Sequence, residues 1–155
     1  MKKLRKFSIS VMATACLLAF GSSSAFAKTG WADSFETAEV MYSSVNQSSG
    51  FSATQYLDSM SDNDFYVVDN TNGSSEITYS VIATPPANFD IVMGVIKMNA
   101  SGAILSIQMD NWNGRGYPEA ISWNAKPGEK VYFRIMDNGI NNYNEPYTIQ
   151  FTKTS

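Results

Sequence analysis

Three groups of residues in this chain have types and spacings that could do chemistry. Asp62 and Asp64 stand two apart, so at the start of a strand their carboxylates point the same way, and Asp58 lies just upstream. Calcium takes six to eight hard oxygens at about 2.3–2.6 Å, and carboxylates with backbone carbonyls supply them. The plainer role for the same residues is to cap turns by accepting backbone N–H groups. Asp62-Asn63-Asp64 also imitates the opening of an EF-hand loop, but Val67 stands where that loop requires glycine, so an EF-hand is excluded. The second group is Trp112, Arg115 and Tyr117, set among Asn and Gly in the run from Asp110 to Pro118. Trp and Tyr stack on a sugar face or a proline, and Arg forks onto a carboxylate. The alternative is a long hairpin loop whose Trp112 tucks over the end of the core. The third group is Tyr132, Arg134 and Met136 on the outward side of one strand, with Tyr143 nearby. An open face of that kind suits an extended or triple-helical peptide; otherwise these side chains pack beneath a loop or edge strand.

What the chain lacks narrows the chemistry further. It has no histidine, and its one cysteine, Cys16, sits in an apolar N-terminal run. Lys2, Lys3, Arg5 and Lys6, the apolar stretch from Ser8 to Phe20, and Ala25-Phe26-Ala27 together read as an export signal over residues 1–27. A lipid-anchored reading at Cys16 conflicts with Leu17, Leu18 and Phe20, which continue the apolar run. The secreted product, residues 28–155, then has neither thiol nor imidazole. The usual nucleophile–base pairs and the N/S ligands of zinc, copper and iron are therefore missing. It carries seven basic against fourteen acidic groups, a net charge of −7. Such a surface repels nucleic acid and anionic membranes but accommodates a protein partner, a glycan or a divalent cation. No other apolar run is long enough to span a membrane. A two-carboxylate glycosidase needs an acid and a base about 5–10 Å apart, and nothing in the sequence singles out such a pair. Lys97, Lys126 and Lys130 lie in no context that would desolvate an amine. No catalytic residue is assigned, and the reading is that the protein is not an enzyme.

These candidates must be held by strands. Ile77, Tyr79, Val81 and Ala83 alternate with polar residues, as do Leu105, Ile107 and Met109; Ile121, Trp123 and Ala125; Val131, Phe133 and Ile135; and Tyr147, Ile149 and Phe151. Period-2 alternation marks half-buried strands. Phe65 to Val68 forms another run, and Phe89 to Met98 is apolar on both faces, which predicts a strand covered on both sides. Asn72-Gly73, Pro85-Pro86, Ser101-Gly102 and Pro127-Gly128 mark the turns. The pattern predicts one all-β domain, an antiparallel sandwich or barrel of about eight strands. Ser34 to Tyr42, behind Asp33, is the only helix candidate. Residues 43–56 fit a loop or a weak edge strand. Trp123 reads as core, and Trp31 as N-terminal packing.

Several of these segments resemble, in order, the bacterial pre-peptidase C-terminal domain. They are Asp33-Ser34-Phe35-Glu36-Thr37-Ala38, Asp62-Asn63-Asp64-Phe65-Tyr66, Asn88-Phe89-Asp90-Ile91, Pro127-Gly128 through Arg134-Ile135, and Tyr147-Thr148-Ile149. The resemblance implies a jelly-roll-like β-sandwich of the sort attached to secreted peptidases, related to the calcium- and collagen-binding domains of secreted collagenases. It also implies that Asp33 and Glu36 approach Asp62 and Asp64 to complete a calcium site. The chain departs from the family's usual setting because no peptidase domain precedes the module. The functional expectation is a secreted, extracellular, non-catalytic module that binds an extracellular protein or polysaccharide. The alternative is a stand-alone effector or inhibitor of a specific protein such as a peptidase, steered by the acidic surface.

Overall fold

The computed structural model describes residues 30–139 and 143–155; the export signal expected over residues 1–27 lies outside them. Among the described residues the elements are nine strands: β1 (Glu39–Ser43), β2 (Gly50–Gln55), β3 (Asn63–Asp69), β4 (Ile77–Thr84), β5 (Ile91–Asn99), β6 (Ile104–Asp110), β7 (Glu119–Ala125), β8 (Glu129–Asp137) and β9 (Tyr147–Lys153). They form a five-stranded sheet in the order β1-β3-β8-β5-β6 and a four-stranded sheet in the order β2-β9-β4-β7. Every pairing is antiparallel except that of β1 with β3. The protein is an all-β sandwich, as the alternation predicts.

Side-chain alternation decides which faces meet. Tyr79, Val81 and Ala83 on β4 and Ile149 and Phe151 on β9 are fully buried, and so are Met93 on β5 and Val131, Phe133 and Ile135 on β8. Tyr79 meets Phe133 edge-on across the sandwich at 6.0 Å and tilts against Phe151 at 5.5 Å. β5 is buried on both faces along most of its length. One face packs in the main core, while Met98 on the other joins Val67 and Tyr132 in a second cluster beneath Phe35 and Ala38. Trp123 is half-buried against the core, and Trp31 packs on Tyr66 with ring centroids 5.8 Å apart.

The helix expected over Ser34 to Tyr42 is absent. Ser34 and Thr37 close a local turn instead: the Thr37 amide donates to the Ser34 carbonyl at 3.3 Å, and the Ser34 amide to Thr37 Oγ1 at 3.1 Å. Beyond the turn, β1 zips in parallel onto β3, pairing Glu39 with Tyr66 and Val40 with Val67. Valine, methionine and tyrosine fit that pleated surface, and a tertiary partner outweighs a weak helical pattern. Residues 50–55 form an edge strand on β9.

β6 departs from the pattern in a different way. Its alternating apolar side chains are exposed: Ile104 by 55%, Leu105 by 51%, Ile107 by 62% and Met109 by 52%. The strand lies at the edge of the five-stranded sheet and pairs only with β5. Ile107 stands opposite Ile96 and Met109 opposite Gly94, both on the outer side of the sheet, whereas Gln108 stands beside the inward-facing Val95.

Ile149 is fully buried between the sheets. Ile149→Ala should lower the unfolding free energy by about 2–5 kcal/mol, measured by urea denaturation.

Candidate functional site

Asp64 enters β3 with its side chain facing the core, two residues before Tyr66. Asp64 is 2% exposed, and it accepts a hydrogen bond from the Tyr147 hydroxyl on the opposing sheet. The Tyr147 and Tyr66 hydroxyls are themselves hydrogen-bonded at 2.7 Å. Asp62 sits in the turn before the strand. Its Oδ2 accepts the Asp58 amide at 2.6 Å and its Oδ1 the Asn63 amide at 2.8 Å, so the turn-capping role read from the sequence is real. Asp33 arrives from the N-terminal segment, which is tied to β3 by the Phe65 amide donating to the Ala32 carbonyl at 2.8 Å. One carboxylate oxygen from each of Asp33, Asp62 and Asp64 lies within 4.8 Å of the others.

Three carboxylates at that separation repel one another. Burial, only partly offset by the Tyr147 hydrogen bond, pushes Asp64 up to about 8, with Asp62, Asp33 and Asp58 adding to the rise. Asp33 is raised as well, by desolvation and then by Asp62 and Asp58. The cluster has two ways to relieve the repulsion: keep a proton on Asp64, or take up a cation. Oxygens this close can share one calcium ion at ordinary bond lengths of about 2.3–2.6 Å. Glu36 does not belong to the group; it is exposed, and a hydrogen bond from Ser34 holds its carboxyl below the ordinary value.

The loop between β6 and β7 is held from beneath. Glu119, at the first position of β7, is 1% exposed, and its two oxygens accept the amides of Trp112 at 3.2 Å and Asn113 at 3.0 Å. Asn113 Nδ2 donates to the Pro118 carbonyl at 2.7 Å, and the Gly116 amide to the Phe89 carbonyl at 2.8 Å. Gly116 has φ of 79°, and a Cβ there would come within 2.7 Å of the Ala87 carbonyl oxygen. Only glycine satisfies both conditions. On this fixed backbone Trp112 is 84% exposed and Tyr117 67% exposed, with Arg115 also at the surface. Trp112 is therefore not tucked over the core. Glu119, the residue that shapes the loop, was missed by sequence reasoning. The only signal for it is an acid at the first position of a strand, where the alternation points inward.

The Tyr132 and Arg134 face is largely covered. Tyr132 is 8% exposed beneath Phe35, whose ring centroid lies 4.8 Å away, and Arg134 donates from Nε to Asn63 Oδ1 at 2.8 Å while lying over Phe65. The alternative weighed in the sequence, packing beneath a covering segment, describes Tyr132. The cover is the N-terminal turn. Met136 is half-buried, and Tyr143 donates to Asp137.

No helix among the described residues is long and apolar enough to cross a membrane. No protein-family model and no curated protein matches the sequence. Among solved structures the chain is similar to the pre-peptidase C-terminal domain of a collagenase from Bacillus anthracis. The identity is 14%, the match covers 76% of this chain and 94% of that one, and the TM-score is 0.46. That is the family whose segments the sequence resembles.

Two outcomes test this geometry. With a chelator present, folded Asp64 keeps a proton up to about pH 8 that the unfolded chain releases near 3.8. Its contribution is thus fully present below the lower value and is lost as pH rises through the higher one. Thermal melts should show stability falling across that window, and Asp64→Asn should flatten the fall. Separately, Glu119→Ala removes a charged, buried acceptor from two part-buried amide donors and should cost about 1–3 kcal/mol. Hydrogen exchange at the Trp112 and Asn113 amides should accelerate in that variant.

Proposed function

We propose that this protein is a secreted, non-catalytic binding module that recognises an extracellular protein or polysaccharide through the loop carrying Trp112, Arg115 and Tyr117. One observation carries the reading: two large aromatic side chains stand exposed on a backbone clamped by a buried carboxylate. Exposed tryptophan is costly to keep in water and gains most from being covered, while the fixed loop lowers the entropy lost on binding. Planar rings among Asn and Gly suit a sugar face or a proline-rich strand, and a guanidinium at the surface, that of Arg115, has the fork geometry that matches a carboxylate.

Calcium held by Asp33, Asp62 and Asp64 completes the reading. It would replace the proton on Asp64, fasten the N-terminal segment to β3 and release a proton as it binds. Glu36 is not a ligand in this arrangement.

Binding to insoluble polysaccharides and to immobilised collagen, measured by pull-down at low and high salt, tests the first claim. Trp112→Ala should weaken capture about 30-fold, the equivalent of a hot-spot loss of about 2 kcal/mol, with little dependence on salt. Full capture by a folded Trp112→Ala variant would sink the loop reading. Capture that collapses with salt would favour the acid-steered effector instead. For the metal, millimolar calcium should raise the melting temperature relative to chelator, by the equivalent of about 2.7 kcal/mol at 100 times Kd. The Asp64→Asn variant should show no such rise.

A further inference from the structure

β6 has the sequence pattern of a buried strand and the surroundings of an exposed one. The alternation in β4, β8 and β9 leads to side chains that are buried, yet Ile107 and Met109 on β6 stand half in water together with Ile104 and Leu105. The outer side of the five-stranded sheet is covered near β3 and β8 by Phe35 and Ala38, and it is left open at β6. β6 is also an edge, so one side of its backbone has no strand to bond. Unlike most natural edges, residues 104–109 carry no charge and no proline. Its one protective device is an irregularity at Leu105, where Ser106 pairs with Lys97 and Ile104 with Met98.

We propose that two copies of this chain pair through β6, antiparallel about a two-fold axis near Ile107, to join their five-stranded sheets into one. The strand is complementary to itself in that arrangement. Ile107 faces Ile107 of the second copy, and Leu105 faces its Met109, so apolar side chains meet on the same side. No charge on the strand itself stands close enough to its counterpart to oppose the pairing. The two Asp110 carboxylates, each three residues from the axis, stand about 20 Å apart, roughly two Debye lengths at moderate salt. The exposed patch amounts to a few hundred Å² per copy, which places the interface at the small end of specific ones, below about 1,200 Å² in total. The dimer is accordingly a reversible one, populated with rising concentration.

Sedimentation equilibrium from micromolar to millimolar concentration reads the result. The wild-type mass should climb from one chain toward two, whereas Ile107→Lys, at a position 62% exposed, should stay at one chain with unchanged circular dichroism and melting. A second variant reads the register without disturbing the fold. In a Cys16→Ser background, Ile107→Cys places two thiols across the axis, where directly opposed residues lie about 4.5–5.5 Å apart, within disulfide reach. Mild oxidation should convert it to a covalent dimer, while Thr54→Cys, exposed on the distant edge strand β2, should not cross-link. The proposal is overturned by a wild-type mass that stays at one chain throughout. It is equally overturned by a dimer that survives Ile107→Lys, or by equal cross-linking of the two cysteine variants.

Discussion

The hydrogen-bonded pair of tyrosines at the end of the sandwich ties the two sheets together, and the candidate cation cluster depends on it. Tyr66 belongs to the five-stranded sheet and Tyr147 to the four-stranded one; both are buried, and their hydroxyls meet at 2.7 Å. A buried hydroxyl without a partner is penalised, so the two rings must keep their hydroxyls together. The pair therefore fixes where β3 stands relative to β9. It also draws Asp64 inward, since the Tyr147 proton needs an acceptor. Trp31 and Phe51 then pack edge-on against Tyr66, which brings the N-terminal segment and β2 to the same end. Asp33 arrives beside Asp64 as a consequence of that packing.

A second buried acid plays the same part at the other candidate site. Glu119 gives both oxygens to amides of the loop, and the conformation that exposes Trp112 and Tyr117 follows from that clamp. Beside it Asp110 is 2% exposed, and its Oδ2 has no hydrogen-bond partner among the described residues. Burial, then the nearby Glu119 charge, raises the Asp110 carboxyl above its ordinary value. The two candidate regions thus share a design: an inward-facing acid at a strand end organises backbone that the core itself does not reach.

The sequence could reveal whatever depends on alternation and turns. Val131, Phe133 and Ile135, or Tyr147, Ile149 and Phe151, could be placed in a core because period 2 leaves no other face for them. The two-residue spacing of Asp62 and Asp64 could suggest a shared direction. Glu36 resembles Asp33 in the sequence and parts from it in space, because the Ser34–Thr37 turn sends it outward. Tyr132 alternates like an exposed residue, and it is covered because Phe35, nearly a hundred residues away, lies on it.

The sequence by itself determined the strands from Asn63 onward, their turns and the sign of the surface, since each of these depends on neighbours a few residues apart. Only the tertiary structure decided which sheet each strand joins, that β1 is a strand rather than a helix, and that the apolar face of β6 is left uncovered. Those outcomes follow from backbone partners and packing surfaces far away along the chain. Alternation says that a face wants to be buried; it does not say whether the chain contains the surface that will bury it.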